Sequence, residues 1–163
     1  MSESPRERIP SYVGAMTVFT AGWAAVAGLT RVTGTPLPER YAVADLALGG
    51  LATHKLTRII AKDGVTTPLR APFTEYVGEE GDAEVEEKPR DEHPQHTIGE
   101  LLTCPFCMAQ WVGTGFVLSY VAAPRATRLA ALTMTMVAGS DVLQFVYDAI
   151  QNGALQSGGD SES

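Results

Sequence analysis

Two stretches without a charged residue, Ile9 to Thr30 and Leu101 to Pro124, constrain this chain more than any other feature. They run for 22 and 24 residues. A helix needs roughly 20 mostly apolar residues to cross the hydrocarbon core of a bilayer, and both stretches meet that length. The first follows Arg6 and Arg8, the charge pattern of a signal peptide. Its uncharged run is longer than the ~7–15-residue core of a signal sequence. Further apolar segments follow it, so it reads as a retained transmembrane helix.

Two other segments are apolar but carry charges. Residues 42–60, "AVADLALGGLATHKLTRII", include Asp45, His54, Lys55 and Arg58, and residues 129–150 include Asp141 and Asp148. A charge at the middle of a spanning helix costs about 2.5–3.5 kcal/mol. That cost falls if Lys55 and Arg58 reach an interface on their long stems and Asp141 faces other helices. A helix lying on the membrane surface is the alternative for 42–60.

The expected fold is therefore all-α, an integral membrane bundle of about four transmembrane helices at 11–32, 42–60, 104–123 and 128–150. Residues 1–10 form an N-terminal tail, 11–150 the helical domain, and 151–163 a disordered tail. Pro36 and Pro38 stop the first helix. The short "APRATR" connection makes the last two helices antiparallel neighbours. The connection 61–100 is long. It opens with "KDGVTTPLRAPF", an ordered turn-rich loop, and continues into an acidic segment, 75–96.

Nine of the nineteen acids lie between Glu75 and Glu92, which accounts for the net charge of −7. The segment has too few apolar residues to fold alone, and solvated disorder is its expected state. Lys and Arg are scattered singly, without the phosphate footprint of a nucleic-acid-binding surface. The expected partners are membrane lipid and a protein partner or a second copy of the chain.

Orientation follows from the basic residues. Four spans place both termini and the 61–100 connection on one side, with Arg6, Arg8, Lys55, Arg58, Lys62, Arg70, Lys88 and Arg90. Arg31, Arg40, Arg125 and Arg128 fall on the other. The excess places both termini in the cytoplasm.

The chain's only cysteines, Cys104 and Cys107, sit in "TCPFC". In a thioredoxin fold such a pair follows a strand within a βαβ unit. Here "HTIGELLT" precedes it and an apolar helix follows, which excludes that fold. In outline the layout resembles the membrane quinone-linked thiol oxidases and the vitamin K epoxide reductase group. Those enzymes use a second cysteine pair on the oxidising side, whereas this pair faces the reducing side. A helix N-terminus lowers a thiol pKa, so thiol-redox chemistry stays open. Zinc is a further alternative: His93, His96, Cys104 and Cys107 are four ligands of the right type in two pairs. The simplest reading is that both cysteines pack at a helix entry beneath the Arg70 loop.

Charges inside the apolar helices suggest another constellation. His54 and Asp141 each lie about 18 Å into parallel helices, at ~1.5 Å per residue. Asp141 would pair with His54 or Lys55. Asp148 and Arg58 would approach each other nearer the cysteines. Such pairs are either a clamp that sets helix register or a proton or cation site, and the clamp suits four short helices better.

Three blocks, "HKLTRIIAKDGVTTPLRAPF" (54–73), "ELLTCPFCMAQWV" (100–112) and the small-residue helix after them, resemble the bacterial membrane family called domain of unknown function 1360. The resemblance covers residues 42–150, with Arg58, Asp63, Pro68, Arg70, Cys104, Cys107 and Trp111 at matching positions. It implies a protein of the bacterial inner membrane with no assigned reaction or cofactor. It also implies a polar loop at the cytoplasmic face carrying Arg58, Asp63 and Arg70, and with Trp111 and the depth-placed Asp148 these make up the expected cytoplasmic-face cluster. The resulting functional expectation is a non-enzymatic structural or partner-docking component of an envelope assembly. A membrane thiol-redox or zinc protein is the rival.

Overall fold

The computed structural model describes residues 9–37, 39–81, 84–91 and 95–159, with side chains for all of these except Ser11 and 153–159. The chain begins with α1 (Ile9–Thr33). Gly34 ends it at φ +65, and the Thr35 amide donates back to the Thr30 carbonyl at 3.1 Å. Glycine adopts this left-handed cap without a Cβ clash.

Helix α2 (Val43–Ala61) follows, then a 3-10 turn at Gly64–Thr66 and the short helix α3 (Thr67–Arg70). Strands β1 (Thr74–Gly81) and β2 (Glu84–Pro89) come next. They pair antiparallel from Thr74 opposite Pro89 to Gly81 opposite Glu84. Helices α4 (Gln95–Thr103), α5 (Pro105–Ala122) and α6 (Pro124–Gly159) complete the described residues. Pro105 and Pro124 open their helices, where a missing N–H costs nothing.

Helix α2 is the central element. It packs against α5 and α6, while α4 packs on the hairpin. Asp45 meets Arg128, the Leu48 carbonyl accepts from Thr135, and Lys55 meets Asp141. That succession makes α2 and α6 parallel. One residue, Ala123, separates α5 from α6, so α5 returns antiparallel to both. Ala52 on α2 and Ala131 on α6 are completely buried. Small side chains let helices approach closely where lipid offers no hydrophobic drive.

Helix α1 is far less engaged. Tyr12 Oη donates to Glu100 Oε2 at 2.8 Å. Phe19 meets Trp111 edge-on with ring centroids 5.2 Å apart.

Two expectations need correction. The acidic segment is a β-hairpin with α4 behind it, so the described residues are mostly helical rather than all-α. Tyr76, Val77 and Val85 supply strand-forming side chains, and the hairpin folds because it has α2 and α4 to pack on. By length and composition, two helices can cross a membrane, α1 over Tyr12–Thr33 and α6 over Pro124–Asn152, and a third only if α4 and α5, bent by 84°, count as one. Asp45, His54, Lys55 and Arg58 lower the hydropathy of α2, so length and composition alone do not mark it as a span. Finally, α6 continues helically to Gly159, past the point where a disordered tail was expected to begin.

Candidate functional site

The described residues of the connection 61–103 fold into a cap on the C-terminal end of α2, and Arg70 organises it. Its side chain is completely buried, and that of Glu87 on β2 is 2% exposed. Arg70 Nε donates to Glu87 Oε2 at 2.8 Å and Nη2 donates to Glu87 Oε1 at 3.1 Å. Nη1 donates to the Ile60 carbonyl at 2.7 Å and to Thr66 Oγ1 at 2.6 Å. Nη2 also reaches the Asp63 carbonyl at 3.1 Å. Every donor of the guanidinium thus has an acceptor, which a buried arginine requires. The Ile60 and Asp63 carbonyls belong to the end of α2 and the turn after it, where backbone acceptors lack helical partners.

Glu87 is satisfied from both sides. Burial alone would push its carboxyl up. Hydrogen bonds from Arg70 and from Thr74 Oγ1, the latter at 2.8 Å, outweigh that and hold it below the usual carboxylate range. A second fork sits beside the first: Arg58 Nε and Nη2 grip both carboxylate oxygens of Glu84. Lys62 pairs with Glu80, and the Val85 amide donates to the Lys62 carbonyl at 2.9 Å. On the other side, the Arg90 amide donates to the Phe73 carbonyl at 3.0 Å. Gly99 on α4 closes against this point, since a Cβ there would lie 2.5 Å from the Phe73 oxygen and 3.0 Å from Pro89 Cα.

The sequence-predicted residues divide among several places. Arg58, Asp63 and Arg70 gather in the cap, Asp63 through its backbone. Trp111 stands one element away, against Phe19. Asp148 is exposed on α6 and forms no ion pair with Arg58, whose fork is taken by Glu84. Lys55 Nζ lies 2.8 Å from Asp141 Oδ2. His54 is exposed and contributes its carbonyl to Thr57 Oγ1 instead.

For the zinc set, His93 lies outside the described residues. His96 places Nδ1 2.9 Å from the Arg90 carbonyl and Nε2 3.3 Å from Glu100, so its ring belongs to α4 and the cap. No group of three or more His, Cys, Asp or Glu that could hold a metal ion occurs among the described residues. Cys104 and Cys107 are not joined. Cys104 is the N-cap of α5, its Sγ accepting from the Cys107 amide at 3.3 Å. Cys107 is exposed rather than packed beneath the Arg70 loop.

Sequence reasoning missed Glu84, Glu87 and Thr74, because an acidic run reads as solvated. A signal was present: strand-forming residues at 74–77, Gly81 followed by Asp82, and Val85 beyond it make a hairpin pattern. The Asp45–Arg128 fork, at 2.9 and 2.8 Å, was also missed. Nothing local links residues 83 positions apart.

Comparison with known proteins found one family. The family described as "Protein of unknown function (DUF1360)" matches residues 48–147. The chain belongs to this family. The matched stretch contains α2 from Leu48 onward, the cap, α5 and most of α6. No curated protein matches the chain, and no solved structure does.

Proposed function

We propose that the chain is a four-span protein of the bacterial inner membrane whose cytoplasmic cap docks a protein partner within an envelope assembly. The observation that carries this reading is the buried Arg70–Glu87 pair. It fixes a β-hairpin rigidly on the end of a helix that lies among the membrane segments. A loop that merely joined two spans would not need a fully satisfied buried ion pair. Beyond that pair, β1 presents Tyr76 and Val77 outward, both more than half exposed. Such a surface offers an aromatic and an aliphatic side chain among acids, suited to a partner with an apolar and basic face.

Pairing of the α2 charges supports α2 as a span. Asp45 is held by Arg128, Lys55 by Asp141 and Arg58 by Glu84. Paired charges insert far more cheaply than the raw hydropathy implies. The excess of Lys and Arg on the cap side supports a cytoplasmic cap. The contacts of Tyr12 with Glu100 and of Lys55 with Asp141 bring the start of α1 and the later part of α6 toward that same side.

A photo-reactive residue placed at Tyr76 in living cells tests the docking role, with Leu143, 71% exposed on α6, as a membrane-side control. The expected result is one discrete protein adduct from position 76 that disappears when Arg70→Ala frees the hairpin. No adduct, or the same adducts from both positions, would overturn it.

A further inference from the structure

A cavity of about 300 Å³ lies between α2 and α5, open on one side. Gly49, Gly50 and Gly113 create it by withholding side chains. A Cβ built on Gly49 or Gly50 would meet no heavy atom within 4 Å. Small residues alone would mark no more than room for a neighbour, but one end of this cavity is polar. Tyr120 lines it beside Asp45. Tyr120 is 8% exposed, and its hydroxyl has no hydrogen-bond partner among the described residues. An unpaired buried hydroxyl costs about 1–3 kcal/mol, so its natural complement is an acceptor brought by a ligand.

The neighbouring charges define that ligand further. The Asp45 carboxylate is occupied by Nε and Nη2 of Arg128. Arg128 Nη1 makes no hydrogen bond among the described residues, and the side chain is 54% exposed. The same end of the cavity therefore offers a hydroxyl donor and, outside it, a cationic donor. Asp45 is in the first turn of α2, Tyr120 in the last turn of α5 and Arg128 near the start of α6. The polar end thus lies at the helix ends, where an interface falls. From Asp45 to Thr53 the cavity follows eight residues of α2, about 12 Å at 1.5 Å per residue. Its body there is apolar, with Leu46, Phe116 and Val117.

Cation, hydroxyl donor and apolar slot, in that order from interface to interior, match phosphate, ester carbonyl and acyl chain. We propose that this cavity binds one acyl chain of a glycerophospholipid. The Tyr120 hydroxyl donates to the ester carbonyl, and Arg128 holds the phosphate. A transmembrane helix from a second copy fits less well, because its backbone carbonyls are already used in its own hydrogen bonds. The proposal takes α2 as embedded in the membrane and is independent of what the cap docks.

Native mass spectrometry of the full chain in detergent, titrated with dioleoyl phosphatidylglycerol, tests it. Wild type is expected to retain one phospholipid, and dioleoylglycerol, which lacks the phosphate, to bind more weakly. Tyr120→Phe should weaken phosphatidylglycerol binding about two- to tenfold, the worth of one hydrogen bond. In lipid-free micelles the same variant should melt no lower than wild type, since the hydroxyl has no protein partner to lose. Gly50→Leu should fill the slot and abolish retention. Should Gly50→Leu fail to fold, Tyr120→Phe decides alone. Unchanged lipid affinity in Tyr120→Phe would overturn the proposal. So would a Gly50→Leu chain that keeps its lipid but changes oligomeric state, which would make the cavity a contact between copies.

Discussion

Replacing Glu87 by glutamine tests the central physical claim, that one buried ion pair holds the cap. The two side chains are 0% and 2% exposed, and Nε and Nη2 of Arg70 each donate to one oxygen of Glu87. Glutamine keeps the shape and one acceptor but removes the charge. The Arg70 cation is then left among carbonyls and hydroxyls, without a counter-charge and out of reach of water. Breaking one side of a buried pair costs about 3–5 kcal/mol. The hairpin can open without unfolding the bundle, so this loss falls on local opening. At about 1.4 kcal/mol per decade, amide exchange in β1 and β2 should accelerate on the order of 10²–10³-fold. The Val85 amide, bonded to the Lys62 carbonyl, and the Arg90 amide, bonded to the Phe73 carbonyl, are the most direct reporters. Exchange measured by mass spectrometry in detergent, with Glu86→Gln as an exposed neighbouring control, provides the comparison. If Glu87→Gln accelerates exchange no more than the control does, the pair does not hold the cap and the reasoning fails.

Four further outcomes follow from the same geometry. Gly99→Ala should loosen α4 from the hairpin by about 1–3 kcal/mol, because its Cβ meets backbone at Phe73 and Pro89. Faster proteolysis at Arg90 would report it, and unchanged cleavage would refute it. Glu87 is held below its usual range, so its contribution is complete above the ordinary glutamate value of about 4.3. That contribution is lost as pH falls through the lower folded value, and cap protection should fade only on strong acidification, read by exchange across a pH series. Asp141→Asn should lower the melting temperature by leaving Lys55 unpaired, whereas the double variant Lys55→Met, Asp141→Leu should recover much of the loss. A cation flux lost in Asp141→Asn with unchanged melting would instead mark an ion site. Cys104→Ser should leave α5 intact, since a serine hydroxyl caps as well as or better than a thiol. Stoichiometric zinc lost on that substitution would contradict a structural role for the cysteine.

Much of the helical layout was legible because apolar run length and proline placement act locally. The start of α5 near Pro105, the parallel course of α2 and α6, and an apposition of Lys55 with Asp141 follow from counting along the chain, whereas α6 starts at Pro124, inside the stretch expected to connect it and ahead of the expected 128. The candidate site was less legible. Arg58, Asp63 and Arg70 were marked by their blocks of sequence, but their partners were hidden in an acidic run. Glu84 and Glu87 look like any solvated glutamates until β2 is placed against α2. His54 and Lys55 both lay within reach of Asp141 by depth, and only the angular position around α2 separates the exposed histidine from the paired lysine.

By itself the sequence determined that long apolar helices dominate this protein and that its charges concentrate in one connection. Those are properties of short windows, set by burial and chain stiffness. Only the tertiary structure decided that the acidic connection is a folded cap, because an acid's role depends on the cation it meets and not on its neighbours in sequence. It also decided that three glycines and an unpaired tyrosine hydroxyl share one cavity. Cys104 acts in this fold through its sulfur as a helix cap, a role that spacing between two cysteines could not assign.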